Sequence, residues 1–151
     1  MAPTAPVSAL SIAAIEDADI ADVIALWQRC GLTRPWNDPA ADIALARIKQ
    51  NSTVLVGRDG STIVATAMVG HDGHRGWVYY VATDPEHRGK GHGRAIMSAA
   101  EDWLRQAGIE KLQLMVRPDN TKVQAFYQSI GYGEQQRIIY AKWLDGRELT
   151  P

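Results

Sequence analysis

The stretch Glu86-His87-Arg88-Gly89-Lys90-Gly91-His92-Gly93-Arg94 constrains this chain more than any other. Three glycines alternate with basic or imidazole side chains. An apolar run from Trp77 to Ala82 precedes them, and a helix-patterned run from Ala95 to Ala107 follows. A strand that turns through bare backbone into a helix start gathers several N–H groups and the positive end of the helix dipole at one point, and that arrangement holds phosphate. No acidic side chain falls between Glu86 and Glu101, so the local field is positive. The chain as a whole is balanced: 16 Lys+Arg stand against 17 Asp+Glu, a formal net charge of −1. Such a balance argues against a broad nucleic-acid-binding surface and favours a small-molecule or local protein partner.

A length of 151 residues suits one domain with a real core. The expected layout is a flexible N-terminus at 1–8, a single domain at 9–145 and a flexible C-terminus at 146–151. No apolar run approaches the roughly 20 residues of a membrane span. The Ala/Pro-rich opening from Met1 to Ala9 lacks the basic n-region and apolar core of a secretory signal. A single cysteine, Cys30, rules out an intrachain disulfide and fits a reducing cytoplasm. The expectation is a cytoplasmic protein with neither membrane nor nucleic-acid partner, as monomer or homodimer.

Leu10 to Ala14 reads as a short strand. Asp17 has the chemistry of an N-cap, and Ile20, Val23, Ile24, Trp27 and Cys30 then share one helical face that Gly31 closes. On that face Cys30 packs rather than acts as a nucleophile. Leu32 to Asn37 is a loop, in which Trp36 either walls a pocket or pins the helices. Asp38-Pro39, a capping side chain followed by proline at the first helical position, restarts a helix to about Gln50, with Ile43, Ala46 and Ile48 as its apolar side. From Thr53 the period changes. Val54 to Val56 and Thr62 to Val69 are β-branched runs joined across Asp59-Gly60, a hairpin signal, and a second turn from Gly70 to Gly76 leads into the strand Trp77–Ala82. After the glycine loop, Ile96, Ala100, Trp103, Leu104 and Ala107 form a helical stripe closed by Gly108. Lys111 to Val116 reads as a strand parallel to Trp77–Ala82, because a strand–helix–strand unit crosses over right-handed. Asn120 caps a short helix bearing Val123, Phe126, Tyr127 and Ile130 and ended by Gly131. Arg137 to Leu144 reads as a last strand.

Spacing tests the familiar phosphate loops. No glycine is followed by Lys-Ser or Lys-Thr, so the Walker pattern is absent. The dinucleotide pattern fails because Arg94 stands where a third glycine belongs after Gly89 and Gly91, and Lys111 to Val116 ends on no acidic residue. What fits is Arg88-x-x-Gly91-x-Gly93 between a strand and a helix, which resembles the acetyl-CoA loop of the GNAT superfamily of N-acetyltransferases. Downstream, Asn120, Phe126-Tyr127 and Gly131-Tyr132 resemble that family's Asn-x₆-Tyr-x₃-Gly-Phe/Tyr segment. The order of elements is similar too. Within the family, the segments Leu32 to Pro39 and Asp72 to Trp77 resemble a small bacterial subgroup, the YpeA-like acetyltransferases.

The resemblance implies an α/β fold (α+β in some schemes). Its central sheet would be mixed and mostly antiparallel, with helices on both faces and a parallel fourth and fifth strand splayed at the cofactor site. It implies acetyl-CoA as the acetyl donor and a small-molecule or peptide amine as acceptor. The transfer would be a direct attack in a ternary complex. Backbone of Arg88, Gly89, Lys90, Gly91, His92, Gly93 and Arg94 would hold the pyrophosphate. Val81, Ala82 and Thr83 would pair with the pantetheine, with a backbone N–H near Val81 facing the oxyanion, and Asn120 would hydrogen-bond the cofactor. Tyr127 matches the family's general acid, against the plainer reading of a tyrosine packed beside Phe126. No carboxylate lies on Trp77–Ala82 to serve as general base. Tyr79 or Tyr80 through a water, or His71 or His74 directly, are the alternatives. The four histidines come with no acidic or thiolate cluster, so no metal is expected. The acceptor rim is expected at Arg34–Trp36 and His71–Arg75. Two other readings remain open: a protein N-terminal acetyltransferase of the ribosomal type, and a non-catalytic acyl-CoA-binding sensor.

Overall fold

The computed structural model describes residues 10–150, so the expected flexible N-terminus at 1–8 lies outside the described residues, as does Pro151. The order of elements is β1 (Ser11–Ala14), a 3-10 turn (Asp17–Asp19), α1 (Ile20–Arg29), α2 (Pro39–Arg47), β2 (Ser52–Asp59), β3 (Thr62–His71), β4 (Gly76–Thr83), a second 3-10 turn (Pro85–His87), α3 (His92–Gln106), β5 (Leu112–Gln113) and α4 (Thr121–Ser129). The chain forms two compact units that meet in sequence at Met115 and Val116.

The first unit is built on one five-stranded sheet in the order β1-β2-β3-β4-β5. The first three pairings are antiparallel and β4–β5 is parallel. Local chemistry sets the meander. Asp59-Gly60 turns β2 into β3. Asp72 closes the next turn by accepting from the N–H groups of His74 at 2.9 Å and Arg75 at 2.8 Å. The parallel step needs a crossover, and α3 supplies it.

Register decides which side chains each face buries. Val54 pairs with Met68 and Val56 with Thr66, so these four share one face, while Leu55, Ala65 and Ala67 share the other. The helices α1 and α2 cover the first face, where Val23, Leu26, Trp27, Ile43 and Ala46 join Val54 and Val56 in one buried cluster. Against the second face, α3 buries Ile96, Met97, Ala100 and Leu104. It comes down on the start of β4 over Gly76, where a Cβ would stand 2.4 Å from the Leu104 Cδ1. Helices on both faces of a mostly antiparallel sheet are as the family resemblance implies.

Several boundaries differ. The first cap is not Asp17: the Glu16 N–H donates to Asp19 Oδ2 at 2.9 Å, one residue earlier. The Arg58 guanidinium binds the same carboxylate and is the main reason its pKa sits below the usual range. Asp38 does cap α2, accepting from the Ala41 N–H at 3.2 Å. The helix stops at Arg47, so Ile48 faces solvent, 69% exposed, instead of packing. In α3 the buried stripe runs through Met97, while Ala107 lies past the helix and is exposed. β5 is two residues rather than the expected six, because a strand lasts only as far as its partner ladder.

In the second unit, Asn120 opens α4 and Gly131 follows its end, as read from sequence. The strand expected over Arg137–Leu144 does not form. Those residues carry no regular strand, and Ile138, Ile139, Tyr140 and Leu144 are exposed. β-branched composition favours a pleated surface but cannot replace a paired neighbour.

Candidate functional site

β4 contains a bulge. Tyr79 pairs with Met68 and Ala82 with Thr66, so Tyr80 and Val81 together oppose only Ala67. The extra residue turns Tyr79 and Tyr80 onto the same face. Tyr80 has φ +50°, the one positive φ outside glycine among the described residues. A bulky residue there is strained and persists only when its surroundings fix it. Three contacts do so. The Tyr80 ring stacks on Trp27 with centroids 3.8 Å apart and planes 9° from parallel. Its hydroxyl donates to Asp42 Oδ2 at 2.7 Å. Its carbonyl accepts from Thr66 Oγ1 at 2.9 Å, and that oxygen accepts from Trp27 Nε1 at 2.8 Å. On its other edge β4 pairs with β5 only at Gly76 and Trp77. Beyond Trp77 the strand therefore splays.

The splayed strand ends in the glycine loop. Asp84, buried, caps the intervening turn by accepting from the Glu86 N–H at 3.0 Å and from Arg29 Nη2 at 3.0 Å. The Glu86 bond, then the Arg29 charge, hold its carboxyl below the usual range against the opposing effect of burial. Gly89 and Gly91 have φ +79° and +78°, left-handed conformations that glycine takes without strain. A Cβ at either would meet nothing within 4 Å, so the space in front of the loop is open. Among the described residues, the amides from Arg88 to Arg94 donate to no acceptor, whereas the Gly91 carbonyl already accepts the Ala95 N–H. Unpaired amides, a helix start and exposed Arg88, Lys90 and Arg94 fit a pyrophosphate. His92 departs from this pattern. Its side chain turns inward, the residue as a whole is 3% exposed, and burial pushes its pKa down.

Val81, Ala82 and Thr83 are the last residues of β4, so the structure brings the expected pantetheine and pyrophosphate residues into one continuous segment. Ala82 is buried, and the Thr83 carbonyl accepts from Cys30 Sγ at 3.2 Å. Cys30 packs against the buried cluster of α1, α2 and the sheet, as read, and that burial raises its thiol pKa.

On the α2 side of β4 lies a cleft of about 540 Å³, lined by Asp42, Leu45, Met68, Trp77, Tyr79 and Tyr80 among others. Of the expected acceptor rim, His71 and Asp72 line it but His74 and Arg75 do not. From the preceding loop Asn37 contributes, rather than Arg34 and Trp36. Arg34 is turned back onto the Gly31 carbonyl at 2.7 Å. Tyr80 is held above the ordinary phenol range, by burial first and the Asp42 carboxylate second, so it donates rather than acts as a base. Sequence reading missed Asp42. Its only signal there is that of an acid in the first turn of a helix, which the dipole alone explains.

In the second unit, Asn120 Oδ1 accepts from the Val123 N–H at 3.3 Å, leaving the amide nitrogen to donate elsewhere. Tyr127 is 8% exposed, edge-on to Phe126 at 5.1 Å and to Tyr132 at 5.7 Å, and burial pushes its pKa up to about 12.

Comparison with known proteins adds four findings. A model of the acetyltransferase (GNAT) family matches residues 20–132. An acetyltransferase of Yersinia pestis is 39% identical over 135 residues, covering 89% of this chain and 96% of that one. Among solved structures, AAC(6')-Iy with the bisubstrate analog CoA-S-monomethyl-acetylneamine superposes with a TM-score of 0.77 at 15% identity, over 89% and 97% of the two chains. The ribosomal-protein-S18-alanine N-acetyltransferase of Escherichia coli does so at 0.71 and 24%, over 91% and 87%.

Proposed function

Because the chain belongs to the GNAT family of acetyltransferases, we propose that it transfers the acetyl group of acetyl-CoA to a primary amine by direct attack within a ternary complex. The observation that carries this reading is the run of unpaired amides from Arg88 to Arg94, which follows the bulged strand β4 after one 3-10 turn. Acetyl-CoA supplies an activated thioester and a pyrophosphate. The loop amides and Arg88, Lys90 and Arg94 hold the phosphates, and the β4 residues Val81 to Thr83 align the pantetheine. Asn120 donates its free amide nitrogen to the cofactor. Residues 9–145 act as one acetyltransferase domain, which the family match across 20–132 supports.

The cleft supports a small amine as acceptor. Its volume suits a small-molecule body, its walls are aromatic and aliphatic, and Asp42 and Asp72 supply charge for an ammonium. An alkyl amine has a pKa of about 10, so it must lose a proton before its nitrogen attacks. Asp42 is the carboxylate at hand to receive that proton. The Val81 N–H donates to the carbonyl oxygen as it becomes an oxyanion. The C–N bond forms, the nitrogen gives up its second proton to water, the C–S bond breaks, and Tyr127 gives its phenolic proton to the departing thiolate and regains one from solvent. The AAC(6')-Iy complex, which holds a bisubstrate analog joining CoA to an acetylneamine, supports a small amine. The likeness to the S18-alanine enzyme keeps a protein N-terminus as the second reading.

Calorimetric titration with acetyl-CoA is the first test. Saturable binding in the micromolar range is expected, and no heat at millimolar acetyl-CoA overturns the reading. A panel of alkylamines, polyamines, amino acids and peptides, followed by thiol release, then separates the two acceptor classes. With the amine that turns over, Asp42→Asn should lower kcat/KM by about 10²-fold or more while acetyl-CoA binding is unchanged. An unaltered kcat/KM removes Asp42 from the reaction.

A further inference from the structure

A trans peptide points its C=O and its N–H in opposite directions. The carbonyl of Tyr80 and the amide of Val81 belong to one such unit, and no described peptide is cis. Whatever holds the Tyr80 carbonyl therefore aims the Val81 N–H. Neither Tyr80 nor Val81 has a ladder partner in β3, and β5 leaves β4 after Trp77, so sheet pairing does not hold this peptide. One side chain does. Thr66, fully buried on β3, donates its only hydroxyl proton to the Tyr80 carbonyl at 2.9 Å. Its lone pair accepts Trp27 Nε1 at 2.8 Å, and the Trp27 indole is itself fixed, buried and stacked on the Tyr80 ring. The network closes on itself: α1 holds β3, β3 holds the bulge, and the bulge residue stacks on α1.

We propose that Thr66, backed by Trp27, is a positioning residue for acetyl transfer, which fixes the Tyr80–Val81 peptide so that the Val81 N–H is turned away from Thr66 to meet the thioester oxygen. Neither residue touches substrate; both act through the backbone of the bulge. The proposal rests on the acetyltransferase reading above, in which Val81 supplies the oxyanion donor. It explains why a threonine stands at a fully buried position where valine would match its shape: the hydroxyl sets the direction of a catalytic amide.

The test reads the donor itself. Acetyl-CoA labelled with ¹³C at the thioester carbonyl is bound to the full chain, and its carbonyl stretch is recorded by difference infrared spectroscopy. In the unsubstituted protein the stretch should move to lower frequency than in free acetyl-CoA. Thr66→Val should lose most of that shift with the acetyl-CoA affinity changed less than about threefold, and Thr66→Ser, which restores the hydroxyl, should recover it. Thr66→Val strands the Trp27 indole N–H. The double variant Thr66→Val with Trp27→Phe removes both partners together, and it reads the same loss should the single variant fold poorly. With an accepted amine, kcat should fall about tenfold or more in the valine variants, with KM for acetyl-CoA little changed. A full carbonyl shift in a folded valine variant overturns the proposal while leaving the acetyltransferase reading intact. An unsubstituted protein that binds no acetyl-CoA overturns both.

Discussion

At position 92 the chain buries an imidazole whose two ring nitrogens find no hydrogen-bond partner among the described residues. Burial is the main reason its pKa lies below the free value, with the charge of Asp59 opposing and those of Lys90 and His87 adding to the effect. The sign follows. The unfolded chain takes up this proton near pH 6.5 and the folded one only at lower pH, so His92's contribution to stability is full above about pH 6.5 and is lost as pH falls below it. Urea midpoints of the unsubstituted protein should therefore decline between pH 7 and pH 5 more steeply than those of His92→Leu. Parallel curves would show that His92 is not the group that titrates. Tyr127 presents the opposite case. Its proton is held to about pH 12, so it stays a phenol across any working pH. Tyr127→Phe should lower turnover by about 10²-fold or more with acetyl-CoA binding little altered. An unchanged rate removes the acid role.

At the scale of elements, the loop that opens α3 depends on backbone conformation. Gly91→Val would place a β-branched residue at φ +78°, in open space but in the wrong conformation. It should weaken acetyl-CoA binding by tenfold or more in calorimetry while circular dichroism shows the helices intact. Retained affinity would mean the phosphates lie elsewhere. The join between α3 and β4 depends on volume instead. Gly76→Ala should destabilise the protein by about 1–3 kcal/mol in urea unfolding, because a new methyl would crowd the buried Leu104. In Leu104→Ala the same substitution should cost less, a coupling that a double-mutant cycle measures. Elements fixed by neighbouring residues were legible in the sequence: the Asp59-Gly60 hairpin, the Asp38-Pro39 helix start, the Asn120 cap and the glycine loop. Features that depend on distant pairing were not. The bulge at Tyr80 follows from the β3–β4 register, and Asp42 reaches Tyr80 across 38 residues of sequence. Arg137–Leu144 is the reverse case, strand-like composition without a strand.

For the molecule as a whole, two kinds of chemistry meet along β4. Toward the glycine loop the available groups are main-chain amides. Toward α2 they are side chains, with Asp42, Trp77, Tyr79 and Tyr80 facing the cleft. The sequence showed the first kind clearly because glycine spacing records backbone conformation. It showed the second poorly because the cleft is assembled from α2, β3 and β4, and its volume belongs to none of them alone. This division bears on how the protein can diverge. An amide is present whatever the side chain, so between Arg88 and Arg94 most replacements leave the donors in place, and a saturation scan should find steep intolerance at the left-handed Gly89 and Gly91 and at the buried His92, with milder losses where Arg88, Lys90 or Arg94 gives up its charge. The cleft has no such insurance, since each wall residue can be exchanged one at a time. On the proposed reading, descendants of this chain can change which acceptor they take many times over while inheriting the same grip on acetyl-CoA.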